Sequence, residues 1–372
     1  MENWETILFI GFIAAIVIQL CYQILFISLL SRKPLLAENG QFVPVSVIVV
    51  ARNEYQSLPS LIPALLAQKH PKYEIIIVDD RSDDETYDYL LSIKDKYPNL
   101  RILRVDYTPE YIHSKKYAIT LGIKAAKYEH ILLTDADCIP RSDRWIVSMT
   151  APYVLKPDTQ FVLGYSGYNR YFTFLNVFIR YETIYTALQY LGFANIGFPF
   201  MGVGRNLSYT KSIFLNNKGF HKHQEVVGGD DDLLVNRLAK GRNTQIVWIA
   251  DGQTITEPKR TWAEWYQQKK RHLSVGKHYS LASKIVIGLL HLSHFLVWIL
   301  MGILIYFNIF WKYALILFVL RMVVWLIIFA FFAKKIKEKQ PLYLFPLLDF
   351  VFLVYYFVLG IATLTTKNIQ WK

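Results

Sequence analysis

The chain has 372 residues, 53% of them hydrophobic, and a formal net charge of +12 from 41 basic and 29 acidic side chains. This length excludes a single small domain, and the apolar share is high for a protein that is soluble throughout. The presence of only two cysteines excludes a disulfide framework and a metal site built from cysteines. Because no nucleic-acid motif accompanies the positive charge, a membrane surface and an anionic ligand explain it better than DNA or RNA.

Four apolar segments are long enough to cross a membrane as helices. The first, residues 7–30, contains no charged side chain, and its helical length spans the ~30 Å hydrocarbon layer. Three more segments follow a polar middle region, at residues 285–311, 313–333 and 341–366, and the last two are each interrupted by one charge. We therefore predict one membrane helix before the middle region and three after it.

Basic residues at the ends of these segments predict their orientation. Arg32 and Lys33 follow the first segment, and the loop 334–339, KKIKEK, separates the last two. Because basic residues near membrane spans favour the cytoplasm, we expect a cytoplasmic middle domain and a multi-pass protein of the inner membrane. A cleaved signal peptide is the alternative for the first segment, but Glu2 and Glu5 stand where such a signal needs basic residues.

The middle region alternates strand and helix patterns from residue 43 onward. The runs typical of strands are 43–51, 73–80, 100–105 and 130–137, and the helical stretches between them are about 56–68, 83–96 and 115–127. Such alternation predicts an α/β domain with a parallel sheet and right-handed crossovers. The predicted regions are an anchor over 1–33, this domain over 43–280 and three membrane helices over 284–372.

Acidic side chains follow two of the predicted strands. Asp79 and Asp80 end one strand, and Asp135 and Asp137 end another. Ligands of parallel sheets bind beyond the carboxyl ends of the strands, and carboxylates there suit a hard divalent cation that holds diphosphate oxygens. A solvated acidic turn is the alternative, because aspartate is common in turns. The first strand runs into ARNE, which excludes the glycine-rich turn of a dinucleotide fold.

The order and spacing of several segments resemble the membrane-integrated branch of the family 2 glycosyltransferases. Four segments are similar to the nucleotide-binding half: VSVIVVARNE, EIIIVDDRSDDET, KKYAITLGIKAA and HILLTDADCIP. Three more are similar to the acceptor-side strand, the catalytic Glu-Asp motif and the Gln-x-x-Arg-Trp motif: MGVGRNLSYTK, GGDDDLLVNRL and QKKRH. Together they cover about residues 43–275. The resemblance implies a GT-A type, Rossmann-like domain with interfacial helices, one N-terminal and three C-terminal transmembrane helices.

The resemblance also implies how the donor is bound. Asp79 or Asp80 is expected to contact the base and ribose of a nucleotide diphosphate sugar. Lys115 and Asp135 are expected beside this donor, and Asp137 is expected to be the principal ligand of Mg²⁺ or Mn²⁺. Oxygen ligands accept either ion, so the choice between them stays open.

Asp230 and Asp231 match the position of the family's Glu-Asp pair, which makes Asp231 the expected catalytic base. Displacement at an anomeric carbon needs a carboxylate that takes a proton from the attacking hydroxyl, and positive charge on the departing diphosphate. Neighbouring carboxylates raise one another's pKa, which helps a base. The alternative is an acidic first turn of the following helix, favoured by the helix dipole, and the two roles are compatible.

The other expected substrate-binding residues are Asn206, in the acceptor-side segment MGVGRNLSYTK, and Gln268, Arg271 and His272, in QKKRH. The last three are spaced i, i+3 and i+4, so they share one helix face, from which Arg271 can hold diphosphate oxygens. We expect Lys269 and Lys270 to point elsewhere, toward lipid headgroups. A basic membrane-surface helix is the alternative interpretation. His272 replaces the tryptophan of the family motif, which leaves the acceptor type and processivity open.

Two further features concern the membrane side. Residues 165–200 are dense in Tyr and Phe, which form either interfacial helices that admit a lipid acceptor or an ordinary core. Arg321 and Asp349 interrupt the last two apolar segments at similar depths. Because charges buried in membranes tend to pair, we predict a contact between these two side chains.

The sequence thus predicts an inverting, metal-dependent hexosyl- or N-acetylhexosaminyltransferase. Its expected partners are a nucleotide diphosphate sugar, a membrane-associated lipid or polysaccharide acceptor and the membrane itself, and no nucleic acid. Three alternatives stay open: a processive polysaccharide synthase, a non-catalytic membrane scaffold with a degenerate transferase fold, and a metal-dependent hydrolase of a lipid-linked substrate.

Overall fold

The computed structural model describes residues 3–36 and 41–365 of the chain. Within these residues the strands are β1 (Val45–Ala51), β2 (Tyr73–Asp79), β3 (Leu100–Arg104), β4 (His130–Asp135), β5 (Cys138–Pro140), β6 (Phe161–Gly164), β7 (Ser166–Tyr168), β8 (Leu207–Thr210), β9 (Thr244–Val247) and β10 (Thr254–Thr256). The helices are α1 (Asn3–Ser31), α2 (Leu58–Leu66), α3 (Thr86–Ile93), α4 (Ser114–Ala125), α5 (Trp145–Leu155), α6 (Phe174–Asn195), α7 (Lys211–Asn216), α8 (Asp232–Leu238), α9 (Trp262–Val275), α10 (Leu281–Tyr306), α11 (Trp311–Lys335) and α12 (Phe345–Thr365).

The larger of two sheets has seven strands in the order β3-β2-β1-β4-β8-β6-β9. Strands β3, β2, β1 and β4 are parallel, whereas β8 runs antiparallel to both β4 and β6. A smaller sheet has the order β5-β10-β7. The predicted mostly parallel α/β sheet is confirmed, and the carboxyl ends of β1, β2 and β4 open at one edge, where such sheets bind ligands.

Strand β1 illustrates why the sheet forms. Its sequence is VSVIVVA, and its side chains are divided between two cores. Val47 and Val49 lie in one core with Leu61 of α2, and Ile48 lies in the other with Ile123 of α4. A continuous β-branched run fits a strand covered by helices on both faces. Full burial of each such side chain contributes roughly 1.5–3 kcal/mol.

Four helices are long and apolar enough to cross a membrane: Asn3–Ser31, Leu281–Tyr306, Trp311–Lys335 and Leu342–Thr363. They match the four predicted apolar segments, except that residue 366 lies outside the described residues. Helices α1 and α10 are antiparallel neighbours, since Trp4 contacts Phe307 at one end and Tyr22 donates a hydrogen bond to the Val286 carbonyl near the other.

Helix α6 connects the α/β domain to the membrane helices. Gly192 lies so close to α1 that an added Cβ would stand 2.6 Å from the Phe26 ring. On another face, Tyr185 packs edge-on against Trp325 of α11. The aromatic side chains of α6 are therefore mostly core. Phe172, just before the helix, is 93% exposed.

The predicted contact between Arg321 and Asp349 is present. Arg321 Nη1 lies 2.7 Å from Asp349 Oδ2, and both side chains are fully buried. Gln19 of α1 accepts a hydrogen bond from Arg321, and Trp298 of α10 donates one to Asp349. Tyr181 of α6 also donates to Asp349, at 3.3 Å. Five helices thus meet at one charged pair, as expected for ionisable groups inside a membrane bundle.

Candidate active site

A cavity of about 1520 Å³ opens at the carboxyl ends of β1, β2 and β4 and extends to α10 and α12. Nine of the predicted site residues line it: Asp80, Lys115, Asp135, Asp137, Asp230, Asp231, Gln268, Arg271 and His272. They come from five separate parts of the chain. The fold therefore brings the strand-end carboxylates, the GGDDD segment and the QKKRH helix to one place.

Two carboxylates and a thiol form a compact group after β4. One ligand atom from each of Asp135, Asp137 and Cys138 lies within 4.8 Å of the others. Burial, followed by the neighbouring Asp137 carboxylate, raises the pKa of the Cys138 thiol well above its usual range. The thiol therefore stays protonated, and it donates to Asp137 Oδ1 at 3.2 Å. The remaining carboxylate oxygens are the donor type that Mg²⁺ and Mn²⁺ accept, so the residues fit a hard divalent cation.

Lys115, at the start of α4, connects the two acidic groups of the site. Its Nζ lies 3.0 Å from Asp135 Oδ1 and 3.3 Å from Asp230 Oδ2. Desolvation acts to lower the pKa of Lys115, but the carboxylates of Asp135, Asp230 and Asp231 outweigh it and raise the pKa. The lysine is therefore a fixed positive charge between the strand end and the aspartates of the GGDDD segment.

Two glycines shape the turn before those aspartates. Gly228 and Gly229 have φ values of 77° and 72°, a region that favours glycine. The turn places Asp231 at the start of α8, where its Oδ2 accepts a hydrogen bond of 2.6 Å from the Gly204 backbone amide. Asp231 also caps the N-terminus of α8 while it lines the cavity. The structure is therefore compatible with both interpretations of this segment, an acidic helix start and a site residue.

The paired aspartates have opposite pKa shifts. Desolvation acts to raise the pKa of Asp230, but Lys115 and Lys116 outweigh it and lower the pKa. Desolvation, followed by the charge of Asp230, raises the pKa of Asp231 to about 6. Near neutral pH, Asp231 is ionised yet a stronger base than an ordinary aspartate, which is the property a general base needs.

Helix α9 presents the QKKRH motif to the cavity. Gln268, Arg271 and His272 all line it, as their helical spacing predicts. His272 lines the cavity with an exposed side chain, and desolvation by the surrounding protein, followed by Lys269 and Arg271, lowers its pKa well below the usual range. It therefore offers neutral hydrogen-bonding groups and no charge. Arg271 supplies the positive charge on this side of the cavity.

Lys269 and Lys270 both line the cavity, and Lys269 does not point toward lipid headgroups as expected. Its Nζ lies 2.6 Å from Oε1 of Glu182, a fully buried residue of α6. The helix turns Lys269 inward because the acidic partner lies in the cavity wall, and sequence spacing on α9 alone does not reveal that partner.

Two of the predicted substrate-binding residues, Asp79 and Asn206, do not line the cavity. Asp79 is fully buried, and its nearest cation is Arg104, with Nε 3.9 Å from Asp79 Oδ2. The neighbouring Asp80 lines the cavity and is paired with Arg81 at 3.0 Å. Of the two candidates for nucleotide contact, Asp80 is therefore the one that borders the cavity, although it is only 2% exposed.

Asn206 is held entirely by protein groups. Its Oδ1 accepts from the Trp145 indole at 3.0 Å, and its Nδ2 donates to the carbonyls of Tyr165 and Gly252. It is fully buried behind the cavity wall. These hydrogen bonds hold the start of β8 against the segments that contain Trp145, Tyr165 and Gly252, which explains why the motif has an asparagine here. The geometry does not support the expected contact between Asn206 and the substrate.

Sequence reasoning missed two cations of the site. Arg205, beside Asn206, lines the cavity with its guanidinium 4.7 Å from the centre of the Tyr168 ring. Lys116, beside Lys115, is buried and donates to the carbonyls of His223 and Val226 in the loop before the glycine turn. Desolvation lowers the pKa of Lys116 to about 8. Each residue adjoins one that the motifs singled out, and only the side-chain directions in the fold separate them.

Comparison with known families is consistent with this arrangement. The model for glycosyl transferase family 2 matches residues 46–204, and the model for glycosyl transferase family group 2 matches residues 130–362. The second match covers more than half of the chain. The chain belongs to the family 2 glycosyltransferases.

Individual relatives of this glycosyltransferase match it over shorter segments. It is 29% identical over 111 residues to poly-beta-1,6-N-acetyl-D-glucosamine synthase of Staphylococcus epidermidis, which covers 29% of this chain and 25% of the synthase. The Staphylococcus aureus synthase is 31% identical over 111 residues, covering 30% and 24%. The match therefore spans about a quarter of these relatives.

A solved structure resembles almost the whole glycosyltransferase. The mannosyltransferase PcManGT from Pyrobaculum calidifontis, in complex with GDP-Man and Mn²⁺, has a TM-score of 0.64 and 18% sequence identity. The similarity covers 98% of this chain and 99% of that one. At this identity the likeness shows the fold alone, and it confirms the GT-A type domain.

Proposed function

We propose that this chain is an inverting, metal-dependent glycosyltransferase that moves a hexose or N-acetylhexosamine from a nucleotide diphosphate sugar to a membrane-associated acceptor. One observation carries the proposal. Asp231, with its pKa raised to about 6, lines the same cavity as the Asp135–Asp137 group and the membrane helices α10 and α12. A base, a candidate cation site and a path to the membrane therefore share one space.

The donor half of the cavity has the charges that a nucleotide diphosphate sugar needs. Asp137 and Asp135 would hold a divalent cation, which when bound supplies positive charge to the leaving diphosphate. Arg205 and Arg271 line the cavity and add positive charge that can hold phosphate oxygens by paired hydrogen bonds. Asp80, which borders the cavity, is the proposed carboxylate for the ribose or base.

Asp231 is the proposed general base of a single displacement. Its Oδ2 is oriented by the Gly204 amide and its Oδ1 by the Asp232 amide, at 2.6 and 2.8 Å. In the proposed step, the acceptor hydroxyl loses its proton to Asp231 and attacks the anomeric carbon as the bond to the diphosphate breaks. Attack opposite the leaving group inverts the anomeric configuration.

The membrane orientation is supported by the position of the basic residues. Arg32, at the inner end of α1, donates to Asn195 and Gln245 of the α/β domain. Lys334 and Lys335 end α11 near the same domain, since Glu338 pairs with Arg180 of α6. Basic residues favour the cytoplasm, so we place the catalytic domain there, in a cell inner membrane.

A processive polysaccharide synthase is the second candidate. It is supported by the names of the staphylococcal relatives, which are polysaccharide synthases, over the shared 111 residues. The two candidates use the same base and donor site, and they differ in whether the product stays bound and is extended.

The proposal is tested with purified full-length enzyme in nanodiscs. A panel of radiolabelled nucleotide sugars is supplied with Mn²⁺ or Mg²⁺ and extracted bacterial lipids. We expect one labelled product with a single added sugar in the lipid phase, formed only with a divalent cation. A ladder of products supports the processive candidate, and release of free sugar without an acceptor would show a hydrolase instead. NMR of the new linkage tests inversion.

A further inference from the structure

One part of the cavity, the inner chamber, lies between α6, α10 and α12. It is lined by Glu182 and Gln189 of α6, His291 of α10 and Tyr356 of α12. Apolar residues such as Ala187, Phe200 and Ile287 line the cavity beside these four polar side chains. An alkyl chain can pack against the apolar residues, but it offers no hydrogen-bond partner to the polar groups that lose water.

Glu182 is the most informative residue of the inner chamber. The side chain is fully buried, and its Oε1 accepts hydrogen bonds from Lys269 Nζ at 2.6 Å, from Thr186 Oγ1 at 3.1 Å and from the Tyr356 hydroxyl. Among the described residues, its Oε2 has no hydrogen-bond partner. A buried carboxylate oxygen without a donor is costly, so the site favours a ligand that supplies one.

A second buried acceptor atom belongs to Gln268, which also lines the cavity. Gln268 donates to the Tyr168 hydroxyl, and over the described residues its Oε1 has no partner. Two oxygen acceptors call for a ligand with hydroxyl or amide hydrogens, because a phosphate offers only further acceptors. The Lys269–Glu182 pair is neutral and offers no net positive charge to an anion, although Lys284 of α10 also lines the cavity.

We infer that the acceptor carries a sugar, and that the sugar unit behind the attacking hydroxyl fills the inner chamber and donates a hydrogen bond to Glu182. This inference rests on the proposed glycosyl transfer and specifies its acceptor class. The acceptor is then a glycolipid or a membrane-bound saccharide, and a simple polyprenyl phosphate is excluded. Glu182 acts as an acceptor-binding residue, reached when its carboxylate rotates toward the chamber.

Helix α10 offers a matched pair of positions for the test. At both Gly288 and Gly302, an added Cβ meets no atom within 4 Å among the described residues. Only Gly288 belongs to the cavity lining. Gly288→Trp therefore fills the chamber, whereas Gly302→Trp places the same bulk on the same helix away from it.

The experiment measures transfer from the nucleotide sugar to n-octyl glucoside, n-octyl N-acetylglucosaminide or citronellyl phosphate, with full-length enzyme in nanodiscs. We expect transfer to an octyl glycoside and none to the phosphate. Glu182→Gln and Gly288→Trp should raise the KM for the glycoside at least about tenfold, since a hydrogen bond to a charged group is lost or blocked. Two control variants should change the KM for the glycoside less than twofold. They are Gly302→Trp and Glu338→Gln, of which the second alters the buried Arg180–Glu338 ion pair outside the chamber.

Binding of the nucleoside diphosphate serves as the folding control for each variant. If Glu182→Gln does not bind the nucleoside diphosphate, the inference is still tested by Gly288→Trp and by the acceptor preference of the unmodified enzyme. Transfer to citronellyl phosphate but to neither glycoside would overturn the inference, as would an unchanged KM in Glu182→Gln and Gly288→Trp. Complete absence of transfer to every acceptor, including the extracted lipids, would instead contradict the proposed function.

Discussion

Two buried charged clusters in this protein differ in how completely the protein satisfies them. The membrane cluster around Arg321 and Asp349 pairs one cation with one anion at 2.7 Å, and Gln19, Trp298 and Tyr181 add hydrogen bonds to this pair. The active-site cluster groups several carboxylates around Lys115 and opens to a cavity. A closed, balanced cluster holds helices together, whereas an open cluster with excess acid is suited to bind cations and move protons.

The first way to sharpen this comparison is to remove the proposed cation ligand. Asp137→Ala should lower the transfer rate by at least about 10²-fold even at high Mn²⁺, because stabilisation of the leaving group by a cation is worth several kcal/mol. Asp158→Ala, an exposed aspartate outside the cavity, should leave the rate unchanged. Equal rates in the two variants would remove Asp137 from the proposed mechanism. The measurement is the initial rate of sugar transfer at several Mn²⁺ concentrations.

Substitutions in the membrane cluster should change the stability of the protein. Arg321→Met leaves the Asp349 carboxylate buried without its cation, which should cost about 3–5 kcal/mol of unfolding free energy. The double variant Arg321→Met with Asp349→Leu removes both charges and should recover much of that loss. Thermal unfolding of the protein in nanodiscs measures both. A double variant as unstable as the single one would show that the charged pair itself is required.

The pH dependence of transfer tests the open cluster. The pKa of Asp231 is raised to about 6, and only the ionised form accepts a proton. The value of kcat/KM should therefore be flat above this pH and should fall toward a limiting tenfold per pH unit below it. A profile that stays flat down to pH 4.5 would contradict the assignment of Asp231 as the base. Nucleoside diphosphate binding over the same range separates this effect from unfolding.

The smallest effect is expected at the contact between the catalytic domain and the membrane cluster. Tyr181→Phe removes one hydrogen bond to Asp349 and keeps the ring, so it should cost about 1 kcal/mol of stability. Transfer activity should be unchanged, because Tyr181 does not line the cavity. A large loss of activity would show that this contact also positions the catalytic domain.

The sequence predicted the features that depend on local patterns. The strands before Asp79 and Asp135, the four apolar helices and the face of Gln268 and Arg271 all follow from periodicity and length. The Arg321–Asp349 contact was also predictable, because few charges occur inside membrane segments and they must find each other.

The features that the sequence did not reveal depend on side-chain directions set by the tertiary fold. Asn206 and Arg205 are neighbours, yet one is buried in hydrogen bonds and the other faces the cavity. Lys269 is turned inward by Glu182, a residue 87 positions away on another helix. Residue spacing along one helix cannot predict a pairing with another helix. The Lys269–Glu182 pair nevertheless forms part of the lining of the proposed acceptor half of the cavity.

The most direct test of the central claim compares Asp231→Asn with the unmodified enzyme for two properties, sugar transfer and nucleoside diphosphate binding. The amide keeps the shape of the side chain but is a very weak base. We predict a loss of transfer of about 10²–10⁴-fold, with binding unchanged within about twofold. Transfer at an unaltered rate in Asp231→Asn would show that another group accepts the proton and would contradict this account of the active site.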